Sequence, residues 1–171
     1  MKNELPYCKT SEAIIGYEQS DLAKTENNDC VVRAFASAYE ISYEMAHKFI
    51  SERFGRKNRQ GTYDFNSKMN KIGEIKELIH NHYIKILGEK KMIGSFVTGG
   101  YSLSYDVKVK GEIKRRQMTV GTFAKKYPKG NFIMSVKRHA FTIKDGVVVG
   151  NTEDCRRLKA IVEQVWEVVK F

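Results

Sequence analysis

Proline is almost missing from this 171-residue chain: only Pro6 and Pro128 occur. No proline-rich linker divides it, and its length fits a single domain spanning residues 1–171. Cysteine is also scarce, with Cys8, Cys30 and Cys155 far apart. An odd count without a CxxC pair argues against a disulfide framework and against a structural zinc site. Long apolar runs are lacking. The opening MKNELPYCKT holds no run of signal-peptide length, and nothing approaches transmembrane length. The expectation is a cytoplasmic protein with free thiols and no membrane partner. Repeats and low-complexity segments are missing as well. No His/Asp/Glu set stands at ligand spacing, so neither a metal nor another cofactor is expected.

Positive charge is plentiful. Thirty Lys+Arg face twenty Asp+Glu, for a net +10. Charge of this kind bears on partners rather than on fold. It gathers in RFGRKNRQG, from Arg53 to Gly61, and in KVKGEIKRRQ, from Lys108 to Gln117. Nucleic acid, if bound, would meet Arg56, Lys57 and Arg59 in the first run and Lys114, Arg115 and Arg116 in the second. A solvated loop or face is the plainer reading of each. An acidic protein would suit the same surplus.

The patterning changes along the chain. A short strand is expected near Ala13 to Tyr17. Asp29 stands where a helix starting at Cys30 would be capped, and Val31, Ala34, Phe35 and Ala38 recur at i, i+3, i+4, i+7. Arg33, Ser37 and Glu40 fall largely off that face. Ser42 caps a second helix, YEMAHKFISERF, which Gly55 closes. Tyr43, Ala46, His47 and Ile50 share one side of it. NKIGEIKELIHNHYIKIL, residues 70–87, reads as a helix, and GSFVTGG, residues 94–100, as a loop. Thr119 caps a short helix that ends before Pro128 and Gly130. Strands are expected over Phe132 to Val136, Ala140 to Lys144 and Val147 to Val149, with Asp145-Gly146 as a turn between the last two. The β-branched tail AIVEQVWEVVKF reads as a further strand. Helices early and strands late make an α+β chain, a helical lobe packed on an antiparallel sheet.

Cys30 raises a chemical question. At a helix N-terminus, unpaired N–H groups and the positive end of the dipole favour a thiolate. The same groups can face a developing oxyanion, with Asn28, Asn27 or Lys24 as an added donor. A core cysteine is the competing reading. His139, at the head of a strand in SVKRHAFTIKDG, could act as the base. Phe141 and Ile143 would share its face. Asn151 is the first candidate to orient the ring and Asp154 the second. His47 reads as a packing residue. His80 and His82, two apart, make a poor metal pair.

NNDCVVRAFASAYEISYEMAH, followed much later by YPKGNFIMSVKRHAFTIKDGVVVGN, resembles the small papain-like cysteine peptidases of bacteria and their phages. DCVVRA is also similar to the ovarian-tumour-type deubiquitinases in layout. The resemblance spans the Cys helix pair and the final third; residues 61–117 match nothing in it. It implies a papain-like fold with the Cys helix on the sheet, and a thiol protease or isopeptidase acting on a protein substrate. It implies Cys30 as nucleophile, His139 as general base and Asn151 as orienter, in a host cytoplasm if the gene is a phage's. Acyl transfer and deamidation use the same pair. The alternative is a papain-like scaffold that binds nucleic acid or a host protein through its basic surface, without catalysis. Tyr101, Tyr105, Tyr127 and Phe132 would then be candidates to stack on bases.

Overall fold

The computed structural model describes residues 4–75 and 103–170, with short strand segments at 78–79, 82–85, 92–93 and 95–96 between them. In chain order these form β1 (Tyr7–Lys9), α1 (Thr10–Ala13), α2 (Asp21–Thr25), α3 (Cys30–Tyr39), α4 (Tyr43–Phe54) and α5 (Phe65–Ile75). Next come β2 (Leu78–Ile79), β3 (His82–Lys85), β4 (Met92–Ile93), β5 (Ser95–Phe96), β6 (Ser104–Val109) and β7 (Glu112–Gln117). The last third holds α6 (Val120–Lys126), β8 (Asn131–Val136), β9 (His139–Lys144), β10 (Val147–Gly150), a 3-10 turn (Asp154–Arg156) and β11 (Val162–Lys170). The chain is thus mixed α+β.

One seven-stranded sheet organises it, in the order β1-β10-β9-β8-β11-β3-β2. The sheet is not the wholly antiparallel, C-terminal one expected. β1 comes from the N-terminus and runs parallel to β10, pairing Cys8 with Val149. β2 and β3 come from the middle of the chain and extend the far edge. That middle was expected to be helical over residues 70–87. The helix instead ends at Ile75, and HYIK adopts a strand paired with β11. Of the expected 94–100 loop, Ser95–Phe96 pairs with Met92–Ile93, and the remaining residues lie outside the described ones. No strand forms at 13–17 either. Thr10–Ala13 is a helical turn, and Gly16 at φ +69 bends the chain away.

Both sheet faces are covered, giving three layers. On one face α3 and α4 bring Val32, Phe35, Tyr39, Tyr43 and Ile50 against Ile133, Ala140 and Trp166. On the other, Met118, Val120 and Phe123 meet Phe132, Met134, Phe141 and Ile143. β8 therefore alternates between two cores rather than between core and water. A bulge between Val162 and Gln164 resets β11, so that Val162 and Val165 reach one core while Trp166 and Val168 reach the other.

Polar contacts fix α3 on the sheet. It is buried on nearly every side, including at Ser37, which periodicity put off the apolar face. Ser37 Oγ lies 3.0 Å from Thr142 Oγ1, and Thr142 donates to the Ala34 carbonyl at 2.8 Å. Asn131 Nδ2 donates to the Ala38 carbonyl at 2.6 Å. A hydroxyl pair under a helix costs little to bury once each member has a partner, and it sets the register of helix on strand. Ser42 accepts from Met45 N to start α4, and Thr119 does the same for α6 through Thr122 N. Asp145 (φ +47) and Gly146 (φ +78) form the tight turn between β9 and β10.

Candidate active site

Cys30 opens α3, with Asp29 in the N-cap position, but the Asp29 carboxylate makes no cap hydrogen bond. It is drawn sideways: Oδ2 accepts from the Tyr43 hydroxyl at 2.8 Å, and Oδ1 lies 3.0 Å from Arg33 Nε. The first-turn N–H groups are left without a side-chain cap, so the positive end of the helix stays open beside the sulfur. Asn28, exposed and left-handed at φ +53, turns the chain into the helix.

The approach to Cys30 is anchored by buried charge. Arg56 was expected to belong to a solvated basic run that could meet nucleic acid. It is instead buried, with Nη2 donating to Glu26 Oε2 at 2.6 Å and to the Asn27 carbonyl at 3.1 Å. Its Nη1 lies 2.8 Å from His47 Nε2. A guanidinium only donates, so that nitrogen accepts and the His47 ring is neutral. Burial and the Arg56 charge hold the ring's pKa below its ordinary value. Burial pushes the Glu26 carboxyl up, but the Arg56 bond, the Arg59 N–H and the Arg56 charge bring it below the usual carboxylate range.

His139 follows a two-residue turn. Val136 pairs with His139, leaving Lys137 and Arg138 as the loop, and Arg138 takes φ +58, a conformation that favours glycine. At the head of β9 the ring stacks on Phe141 with centroids 5.9 Å apart. The Cys30 sulfur faces the same groove as this ring and Ala140, close enough that the ring and the Ala140 N–H both bias its titration. The ring's Nε2 lies 2.7 Å from Asp154 Oδ1. Since Nε2 is engaged there, Nδ1 is the nitrogen left for sulfur.

Asn151, the first candidate to orient His139, does not contact it. Its Oδ1 accepts from Arg33 Nη1 at 2.5 Å, and its backbone N–H donates to Asp154 Oδ2 at 2.8 Å. Asp154, the second candidate, holds the ring. It is buried, and Arg157 Nε approaches the same Oδ1 at 3.3 Å. A side chain four residues after a strand end can fold back to accept from the N–H of the residue that opens the turn, which brings position 154 rather than 151 under the imidazole. Gly150 makes room for it: a Cβ there would stand 2.3 Å from Asp154 Oδ2.

The three groups tune one another. Burial pushes the Cys30 thiol up, but the His139 bond and charge, the Ala140 N–H and Arg33 outweigh it and leave the thiol below its ordinary value. Burial lowers His139, while its bonds to Asp154 and Cys30 raise it to about 9. Burial raises Asp154, and the His139 bond and charge bring it below the usual range. The arrangement favours thiolate and imidazolium together. Cys8 differs: burial and the nearby Glu12 carboxylate raise its thiol. Cys155 is buried and donates to the Thr152 carbonyl at 2.8 Å.

The sulfur and the ring open into a groove of about 1030 Å³, whose lining includes Asn28, Arg33, Arg138, the 61–64 loop and the first turn of α5. Tyr63 in that loop is exposed, and Glu163 adds a carboxylate. Arg33, Arg138, Asp64 and Glu163 put charge of both signs around the groove. Sequence reasoning missed Arg33, Gly150 and the 61–64 loop with the start of α5. The Gly-Asn-x-x-Asp spacing after β10 was the available signal for the first two partners of Asp154.

The second basic run forms the hairpin of β6 and β7, turned by Lys110 (φ +50) and Gly111 (φ +86). Lys114, Arg115 and Arg116 are exposed on it, as are Lys57 and Arg59 in the first run. Of the aromatics considered for stacking, Phe132 is core, Tyr105 and Tyr127 pack against that core, and Tyr101 lies outside the described residues. Among the described residues no three His, Cys, Asp or Glu side chains group as metal ligands. No helix among them is long and apolar enough to cross a membrane. His82 lies in β3, and His80 is outside the described residues. No protein-family model matches the chain, and comparisons with curated proteins and with solved structures find no match.

Proposed function

We propose that this protein is a cysteine hydrolase of papain-like layout, cleaving a peptide or isopeptide bond in a protein substrate. Cys30 is the nucleophile, His139 the general base and acid, and Asp154, rather than Asn151, the residue that orients the ring. The observation that carries this reading is the Cys30–His139 contact at the groove, with the far ring nitrogen 2.7 Å from a buried carboxylate.

The chemistry follows from the charges. The imidazolium keeps the sulfur as thiolate, and the thiolate attacks the substrate carbonyl carbon. The oxyanion that forms meets the uncapped N–H groups at the start of α3, with Asn28, which lines the groove, as an added side-chain donor. His139 gives its proton to the leaving amine, and a thioester remains on Cys30. His139, now neutral, takes a proton from water, which attacks the thioester and frees the acid. An amine in place of water would give acyl transfer, and a primary carboxamide as substrate would give deamidation. The surplus positive charge lies mainly outside the groove, so it would act on an acidic partner or nucleic acid beside the reacting site, through Lys114, Arg115 and Arg116.

A peptidyl epoxide tests the assignment without knowledge of the substrate. Mass spectrometry should locate the adduct on Cys30, and His139→Ala should remove it. An adduct on Cys30 no faster than on Cys8 would contradict the reading.

A further inference from the structure

We propose that Arg33 is a positioning residue: through Asn151 it clamps the nucleophile's end of α3 to the turn that presents Asp154 to His139. The inference rests on the hydrolase reading above and deepens it.

The contacts form a closed circuit. Arg33 Nε lies 3.0 Å from Asp29 Oδ1, and Asp29 directly precedes Cys30. Tyr43 holds the other Asp29 oxygen at 2.8 Å. Arg33 Nη1 reaches across to Asn151 Oδ1 at 2.5 Å, spanning 118 positions of sequence. Asn151 N–H donates to Asp154 Oδ2 at 2.8 Å, and the Asp154 N–H returns to the Asn151 carbonyl at 2.9 Å. Asp154 then holds His139, and His139 meets Cys30.

Other ties fix other parts. Ser37 and Thr142 set the middle of α3 on β9. Ser37 Oγ also reaches the Arg33 carbonyl at 2.9 Å, but neither residue hydrogen-bonds the 151–154 turn. Arg33 joins the helix to that turn directly. A planar guanidinium can pair its charge with Asp29 on one side while donating to Asn151 on the other, whereas an ammonium on a flexible stem holds a point contact. The Arg33 side chain is 17% exposed, so its ion pair with Asp29 and its hydrogen bond to Asn151 are partly shielded from water. Without the clamp, the sulfur and the Asp154–His139 pair would drift by fractions of an ångström. A misplacement of about 1 Å can cost on the order of 100-fold in rate.

The test is the rate of Cys30 alkylation by iodoacetamide near pH 7, with its pH profile, in the full-length protein. Arg33→Lys and Asn151→Leu should each slow it by roughly 10- to 100-fold. Their combination should be no slower than the slower single variant, because both remove one link. Asn151→Asp keeps an acceptor for Arg33 and should hold a rate near the wild type. A purely structural role would not distinguish Asp from Leu at this exposed position. Single variants at the wild-type rate, losses that multiply in the double variant, or equal losses for Asp and Leu would overturn the clamp. If Arg33→Lys fails to fold, the Asn151→Leu and Asn151→Asp pair decides alone. A wild-type Cys30 no more reactive than Cys8 would instead overturn the hydrolase reading, and the clamp with it.

Discussion

Asp154 Oδ1 stands 2.7 Å from His139 Nε2, while Asn151, only three residues earlier, turns its side-chain oxygen to Arg33. The two polar residues after β10 thus divide two tasks. One engages the imidazole directly, and the other holds the first in place.

This division has a kinetic signature. Asp154→Ala should lower any hydrolytic or alkylation rate of Cys30 by about 10²- to 10⁴-fold, since the ring loses its orienting partner. Asn151→Ala should cost less than Asp154→Ala, within the roughly 10- to 100-fold expected from loss of the Arg33 link, because its N–H to Asp154 survives the substitution. Equal losses at the two positions would place the orienting role elsewhere. Second-order inactivation rates with a peptide epoxide supply the measurement.

Gly150 should resist any enlargement. A methyl there would overlap Asp154 Oδ2, at 2.3 Å. Gly150→Ala is expected to destabilise by about 1–3 kcal/mol and to slow Cys30 alkylation. Denaturant unfolding and the alkylation rate should move together. A stable variant with full reactivity would mean that Asp154 has room the structure does not give it.

Arg56 and Lys57 are sequence neighbours with opposite fates. The Arg56 side chain is fully buried against Glu26, and Lys57 faces solvent. Arg56→Met leaves the Glu26 carboxylate without its main partner and should cost about 3–5 kcal/mol. Lys57→Met should stay within about 0.5 kcal/mol of the wild type. Urea titrations separate the two. A mild Arg56 variant with weakened nucleic-acid binding would restore the surface role that its burial denies.

The pH dependence of stability has a definite sign. His139 has its folded pKa raised to about 9. Its contribution is therefore complete below its unfolded value of about 6.5 and lost as pH rises through about 9. Cys30 and Asp154 are shifted down, so theirs is present above the unfolded values and lost as pH falls through the folded ones. The gap in melting temperature between the wild type and His139→Gln should be largest near neutrality and shrink above pH 9. A gap unchanged across that range would contradict the coupled pair.

Local signals carried much of the fold. Ser42, Gly55 and Thr119 punctuate helices through their own hydrogen bonds or backbone angles, and Asp145-Gly146 turns a hairpin by its preference for positive φ. Such effects act within four residues, so a sequence displays them. Cys30 and His139 were legible for the same reason, each standing at the head of an element. What could not be read was long-range. Ser37 looks like a solvent-facing residue until Thr142 arrives from 105 positions away. Arg56 looks like part of a basic loop until Glu26 buries it. HYIK looks helical in continuity with residues 70–75, yet β11 recruits it as a strand. The choice between Asn151 and Asp154 depended on how a three-residue turn folds back, which neither residue type dictates alone.

The pH profile of Cys30 alkylation, in the wild type and in His139→Ala, tests the thiolate–imidazolium pair most directly. The pair predicts that the wild type reacts well below the ordinary thiol range, with a change near pH 9 as the ring loses its proton, and that His139→Ala returns Cys30 to ordinary titration near about 8.5. A single titration at that ordinary value in both proteins would contradict it.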